Sequence, residues 1–387
     1  MNSGSEEIDE TQRSKEFEIR LLKRELTFKE IEIHLYKNEL SSIYNTVLGQ
    51  IIKIWKNRKK KREINHSYID IHTNKLTIKF HTGALNDNRG IGRVSRELLK
   101  KLQLLQTENL SPTAKTVYFF STIHHCPKNL PQPSCILIHD VTPIMYPELF
   151  WFESVKWYSE YMPIALKAKK IITISNSSAE YISFYLNINR KEIKVIYNGI
   201  TNLSKEINST INLPSEKYIV FLGANDKNKN IDIILKALEN EKIQDISLVM
   251  IGNNTTVQDI ISTSKLKSRV HFMGKLDDDN TSFIIHNAIA LVFPSIYEGF
   301  GLPPLEAALC GTPSICSNRP AMNEIMYGCA LFASPEDADE WISQIEFLRD
   351  NPDERKELVK LAQKRAQEFT WEKMSRMLEA VLNDIAE

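Results

Sequence analysis

No run of about 20 consecutive apolar residues occurs in this chain, so no segment reads as a membrane-spanning helix. Net charge is absent too: 49 Lys and Arg stand against 49 Asp and Glu. That balance argues against a basic surface spread over the whole protein, and no nucleic-acid partner is expected. Cysteine is sparse. The five present, Cys126, Cys135, Cys310, Cys316 and Cys329, form no C-x-x-C pair and no metal-ligand spacing. An odd number of thiols, three of them in apolar or glycine-containing stretches, reads as reduced cysteine in a cytoplasmic protein. The opening MNSGSEEIDE is acidic and polar, unlike a secretory signal.

What is present is enough for more than one core. The 387 residues are 42% hydrophobic and 25% charged, which suits a globular protein of two domains with an additional segment.

That additional segment comes first. Residues 16–56 contain no proline, and Ile19, Leu22, Leu26, Ile33, Tyr36, Leu40, Ile43, Val47 and Ile54 recur at helical three-four spacing, interrupted at Lys29 and Gln50. The pattern predicts a long helix acting as a coiled coil; a lone amphipathic helix lying along the enzyme is the alternative. Six basic residues follow within seven positions, Lys56, Arg58, Lys59, Lys60, Lys61 and Arg62, beside Ile51, Ile52 and Trp55. Such a run suits either an anionic membrane surface or a solvated linker.

From residue 76 onward, short apolar runs alternate with helical patterns. LTIKF, TVYFFSTI, SCILIHD and KIITIS form one series; YIVFLG, ISLVMIG, VHFMG, IALVFPS and TPSICS form another. Nearly continuous apolar runs mark parallel strands buried on both faces. Two βα series joined near 202–216 predict two Rossmann-like α/β domains facing across a cleft.

The densest chemical signal is FPSIYEGFGLPPLEAALCGTP. A buried strand ends at Ser295, a loop carries Glu298, Gly299, Phe300 and Gly301, and Pro303 and Pro304 open a helix expected to hold Glu306 in its first turn. Glycine permits close backbone approach, and a helix N-terminus favours phosphate. The two carboxylates can accept hydrogen bonds from the hydroxyls of a sugar and a ribose. His139 and Asp140 lie at another strand end, where a ligand-facing histidine competes with a structural one. His124 and His125 end a third strand. Asp277, Asp278 and Asp279 precede a helical pattern and read as a cap rather than a metal cluster.

The stretch from Ala290 to Asn318 resembles the family-4 retaining glycosyltransferases of GT-B fold, whose two signature glutamates, with seven residues between them, match Glu298 and Glu306. NRGIGRVSREL, containing Gly92, resembles the family's N-terminal glycine loop. ILIHDVTPIMYPE, ITISNSSAEYI and VIYNGI, the last with Asn198, resemble its following strands. FLGANDKNKNIDIILKAL resembles its donor-phosphate loop, and EFTWEKMSRMLEAVL its returning C-terminal helix.

The resemblance implies a catalytic set of Glu298, His139 and Lys229. It implies donor contacts from Glu306, Gly299, Phe300, Gly301, Lys227, Gly92 and Asn198, with neither metal nor cofactor. Asn228 stands where the family commonly has arginine. The implied organisation is a coiled-coil and basic segment over 1–62, an acceptor domain over 63–205, a nucleotide-sugar domain over 206–368, and a crossing helix over 369–387. The implied reaction is retaining transfer from a nucleotide-sugar, GDP-mannose being the preferred donor, to a glycan or lipid-linked glycan in surface-polysaccharide synthesis. Self-association or a coiled-coil partner, and a place at the inner face of the cytoplasmic membrane, complete the expectation. A sugar-nucleotide epimerase and a non-catalytic scaffold are the rival readings.

Overall fold

The computed structural model describes residues 67–387 apart from positions 88, 108–113, 151, 202, 204–210, 214 and 225. All of these belong to the unit His66–Glu387. The expected coiled coil and the basic run Lys56–Arg62 lie outside the described residues.

Among the described residues, two six-stranded sheets carry the fold. In the first, β1 (Tyr68–His72), β2 (Leu76–His81), β3 (Lys115–Phe120), β4 (Ser134–Leu137), β5 (Lys170–Thr173) and β6 (Ile193–Val195) lie side by side in chain order. Only β1 is antiparallel to its neighbour. The second contains β7 (Tyr218–Leu222), β8 (Ser247–Ile251), β9 (Val270–Gly274), β10 (Ala290–Phe293), β11 (Ser314–Ser317) and β12 (Leu331–Ala333). Its strands are all parallel and run β12-β11-β10-β7-β8-β9. That is a doubly wound order whose direction reverses between β7 and β10, the place where such sheets bind ligands. The expected pair of Rossmann-like domains is therefore observed.

Alternation along the strands explains their composition. In β4, Cys135 and Leu137 enter one apolar cluster while Ile136, with Ile138 beyond the strand, enters another. In β7, Val220 joins the first of these and Ile219 and Phe221 a third. Both faces are covered, so no polar face is needed and the strands read as unbroken apolar runs.

Helix Gly90–Gln103 presents Val94, Leu98 and Leu102, spaced by one turn, as a buried stripe. Its partner is helix Trp371–Ala386, which packs on it and on β2 and β3 through Met374, Leu378, Leu382 and Ile385. Thr370 caps that second helix by accepting from the Lys373 amide. Asp277 does the same for helix Asp278–His286, accepting from the Asn280 amide at 2.8 Å, which agrees with its reading as a cap.

Candidate active site

The strand order brings two loops together. Because β7 and β10 are hydrogen-bonded neighbours, the segments leaving their C-terminal ends lie side by side. The first makes a tight turn over Lys227–Lys229 and ends at Asn230 in the left-handed conformation, φ 54°. Asn230 Nδ2 donates to the carbonyls of Pro294 (3.2 Å) and Pro335 (2.8 Å), and the Ile296 amide donates to the Asn228 carbonyl at 2.8 Å. The Lys227–Asn230 turn and the glutamate loop are thus fastened by the Asn230 side-chain amide and by one main-chain bond. Their side chains then meet: Lys229 Nζ lies 2.5 Å from Glu298 Oε1 and 5.6 Å above the Phe293 ring. Lys227 is exposed.

Gly301, at φ 88°, forms the N-cap of helix Leu302–Leu309, a conformation L side chains rarely adopt. The helix therefore begins at Leu302, and Glu306 is its fifth residue rather than a member of the first turn. That extra depth buries the Glu306 carboxylate, whose side chain is 3% exposed. Its partner comes from the other sheet's domain: Arg93 NH1 donates to Glu306 Oε1 at 2.5 Å. Burial pushes the Glu306 carboxyl above its ordinary value, with Arg93 pulling the other way.

Gly92, one residue before Arg93, is buried in the first turn of helix Gly90–Gln103. A Cβ there would lie 1.9 Å from the Asp87 carbonyl oxygen. Arg89, the N-cap, pairs with Asp87 through two nitrogens (Nε–Oδ1 3.0 Å, NH2–Oδ2 2.6 Å). That pairing raises its pKa, and Asp226 of the opposite loop adds to the effect.

The glutamate loop is also held from the first domain. Ser175 Oγ donates to the Gly299 carbonyl at 2.6 Å, and Ser178 Oγ reaches both that carbonyl (3.2 Å) and the carbonyl of His139 (3.0 Å). A Cβ on Gly299 would stand 2.7 Å from the His139 carbonyl oxygen, so this glycine is required by contact between the domains. His139 Nε2 lies 3.0 Å from the Ser121 carbonyl. Because a carbonyl only accepts, the proton sits on Nε2 and Nδ1 keeps its lone pair. Burial lowers the His139 pKa, which favours the neutral ring. His124 is lowered to about 3, chiefly by burial, with Arg89 adding.

Two further expected residues lie behind this surface. The Phe300 ring is buried against Tyr197 and Phe369, at centroid distances of 6.3 and 5.4 Å. Asn198 is buried, and its Oδ1 has no hydrogen-bond partner among the described residues. Nearby, Glu324 caps helix Asn176–Leu186 from the second domain. It accepts from the amides of Asn176 (2.8 Å) and Ser177 (2.9 Å) and from Tyr197 OH (2.8 Å).

The structure therefore gathers Glu298, Lys229, Glu306, Gly299 and the His139 backbone where the two domains meet. Sequence reading missed Arg93, Ser175, Ser178 and Glu324. Only Arg93 had a signal, standing directly after the Gly-Ile-Gly run.

Comparison with known proteins supplies a family for part of the chain. Residues 204–365 match the family model described as glycosyl transferases group 1. The O-antigen chain mannosyltransferase RfbU of Salmonella typhimurium is 30% identical over 238 residues, covering 60% of this chain and 65% of the relative. The O-antigen chain mannosyltransferase B of Escherichia coli is 27% identical over 259 residues, covering 60% and 66%. The chain thus spans just under two thirds of the length of these curated relatives. Among solved structures, HepE of Anabaena in complex with UDP-glucose superposes with a TM-score of 0.59 at 18% identity, over 75% of this chain and 89% of that one. Sucrose-phosphate synthase from Thermosynechococcus elongatus gives 0.58 at 20% identity, over 70% and 73%. Residues 204–365 form a domain of the glycosyl transferases group 1 family, set in a chain of GT-B architecture.

Proposed function

We propose that this chain transfers a hexosyl group from a nucleotide-sugar to a hydroxyl of a glycan or lipid-linked glycan, with retention at the anomeric carbon. The supporting observation is the contact of Lys229 with Glu298 beside the switch point of the second sheet. There, one carboxylate and one cation converge where a sugar and a phosphate can be held together. Glu298 accepts from hydroxyls of the transferred sugar and Glu306 from the ribose. Lys229 and the backbone around Gly299 and Gly301 offset the charge that develops on the departing diphosphate. His139 faces the donor sugar. Lys227, Gly92, Phe300 and Asn198 complete the donor surround, Phe300 and Asn198 from the packed layer behind it.

In this reading the acceptor oxygen forms a bond to the anomeric carbon on the face that the diphosphate leaves. The carbon–oxygen bond to the phosphate breaks, and a phosphate oxygen takes the acceptor proton. GDP-mannose and surface-polysaccharide synthesis are the preferred donor and setting, supported by the names of the O-antigen relatives. Residues 63–205 serve as the acceptor domain, 206–368 as the donor domain, and 369–387 return to the first.

The heptad stripe from Ile19 to Val47 and the run Lys56–Arg62 support a role for residues 1–62 in pairing with another helix. They also support attachment to an anionic leaflet, where a lipid-linked acceptor resides. A protein starting at Ser67 should then retain transfer to a soluble acceptor while losing self-association in light scattering and sedimentation with anionic vesicles.

The deciding experiment incubates the full chain with GDP-mannose and UDP-sugars, with and without a lipid-linked acceptor, and identifies products by mass spectrometry. A glycosylated acceptor supports the proposal. A free altered sugar formed without acceptor means an epimerase, and no turnover with any donor means a scaffold.

A further inference from the structure

Two cation–carboxylate pairs occupy the meeting place of the domains: Lys229 with Glu298, and Arg93 with Glu306. The proposed reaction uses the first pair fully. Arg93 has no place in it, although it holds the carboxylate that the ribose is to occupy. We infer that Arg93 is a donor-binding residue that changes partners, holding Glu306 in the free protein and passing to the donor diphosphate when ribose hydroxyls take over Glu306. This rests on the transferase reading above.

Three observations carry the inference. Glu306 Oε1 is already engaged at 2.5 Å, and the Glu306 side chain is only 3% exposed while that of Arg93 is 28% exposed. The arginine is therefore the member of the pair that can swing away. Next, the donor brings neutral hydroxyls and an anionic diphosphate. Handing the hydroxyls to the carboxylates keeps those oxygens hydrogen-bonded, while the phosphates give the cations a new anionic partner. Finally, the turn beneath Lys229 supplies little more charge: Asn228 is neutral and its carbonyl is tied to Ile296, while Lys227 is exposed. The guanidinium is a planar fork matched to phosphate oxygens, which a single lysine is not. Because Arg93 and Lys229 belong to different domains, a diphosphate held by both is a clasp between them.

The test measures affinities of GDP, UDP, guanosine and uridine for the full-length wild type, for Arg93→Gln, and for Arg93→Gln combined with Asn228→Arg, by competition against a fluorescent nucleotide. Arg93→Gln should weaken the favoured diphosphate about tenfold or more and its nucleoside less than about threefold. Asn228→Arg should restore part of the lost diphosphate affinity. Equal losses for diphosphate and nucleoside would reduce Arg93 to a support for Glu306 and overturn the inference, as would unchanged diphosphate affinity. If Arg93→Gln does not fold, Arg93→Lys decides. A selective loss on the diphosphate supports the exchange, and no selective loss ends it. A wild type that binds neither diphosphate sinks the transferase reading itself, and the inference with it; only in a wild type that binds do the variants speak to Arg93 alone.

Discussion

Lys229 and Glu298 are separated by 69 positions in sequence and by 2.5 Å in space, and neither side chain is more than a quarter exposed. Each thus keeps the other's charge compensated until a ligand can replace it. Glu298→Gln keeps the shape and removes the charge. It should lower kcat by about 100-fold or more while leaving the melting temperature within a few degrees. Steady-state kinetics on a correctly folded variant with near-normal kcat would remove Glu298 from the mechanism.

The lysine has a separate signature. Lys229→Ala should weaken nucleoside diphosphate binding by roughly 1.5–3 kcal/mol, whatever sugar is attached. Calorimetry with the bare diphosphate reads this directly. Unchanged affinity would move the phosphate contact to Lys227.

Gly299 tests the contact between the domains. The Cβ of Gly299→Ala would meet the His139 carbonyl oxygen at 2.7 Å, and both groups are backbone or fixed to it. The loop must retreat, stretching the Ser175 and Ser178 bonds to the Gly299 carbonyl. A destabilisation of about 1–3 kcal/mol is expected, with kcat falling further than this alone implies. Wild-type activity would mean that closure at this point is dispensable.

Glu324 joins the second domain to the first. Glu324→Ala leaves two amides at the start of helix Asn176–Leu186 without their acceptor, together with the Tyr197 hydroxyl. The loss should be about 0.5–2 kcal/mol, typical of a removed N-cap. Denaturant titration gives the magnitude, and a loss below that range would show that water replaces the carboxylate at no cost.

The histidines set a pH dependence. His124 has a folded pKa near 3, below its ordinary value of 6.5. Between those values the unfolded chain binds the proton and the folded one does not, so stability rises with pH across this window. It is fully present above about pH 6.5 and lost progressively as pH falls toward 3. His139 is shifted in the same direction. Melting temperature measured from pH 4 to 7 should therefore climb, and His124→Gln should flatten the climb. An identical slope in the variant would remove His124 as its source.

Fold class was legible because burial on both faces leaves a compositional mark on each strand. Ile136 and Leu137 are both apolar precisely because they point into different clusters, and no tertiary knowledge is needed to see the run. The glutamate loop was legible because strand, glycines and prolines are contiguous. The depth of Glu306 was not. It follows from Gly301 serving as the N-cap, which starts the helix a residue before the prolines. The pairing of Arg93 with Glu306 spans 213 positions and exists only where the two domains touch, so no local pattern announces it. Ser175 and Glu324 are hidden for the same reason. A serine after a strand and a glutamate on a short helix look like ordinary caps, and one of them caps the other domain's helix.

The return of helix Trp371–Ala386 to the first sheet has a consequence for biosynthesis. Val94, Leu98 and Leu102 emerge from the ribosome early, yet their cover is not translated until residues 371–386 appear. The second sheet, built entirely from residues 218–333, has all its strands before then. The domain made first is thus completed last, and in the interval its apolar stripe is open to chaperones and to other nascent chains. Nonsense mutations that remove only this helix should therefore show their damage as aggregation of the N-terminal domain, some 270 residues upstream of the lesion.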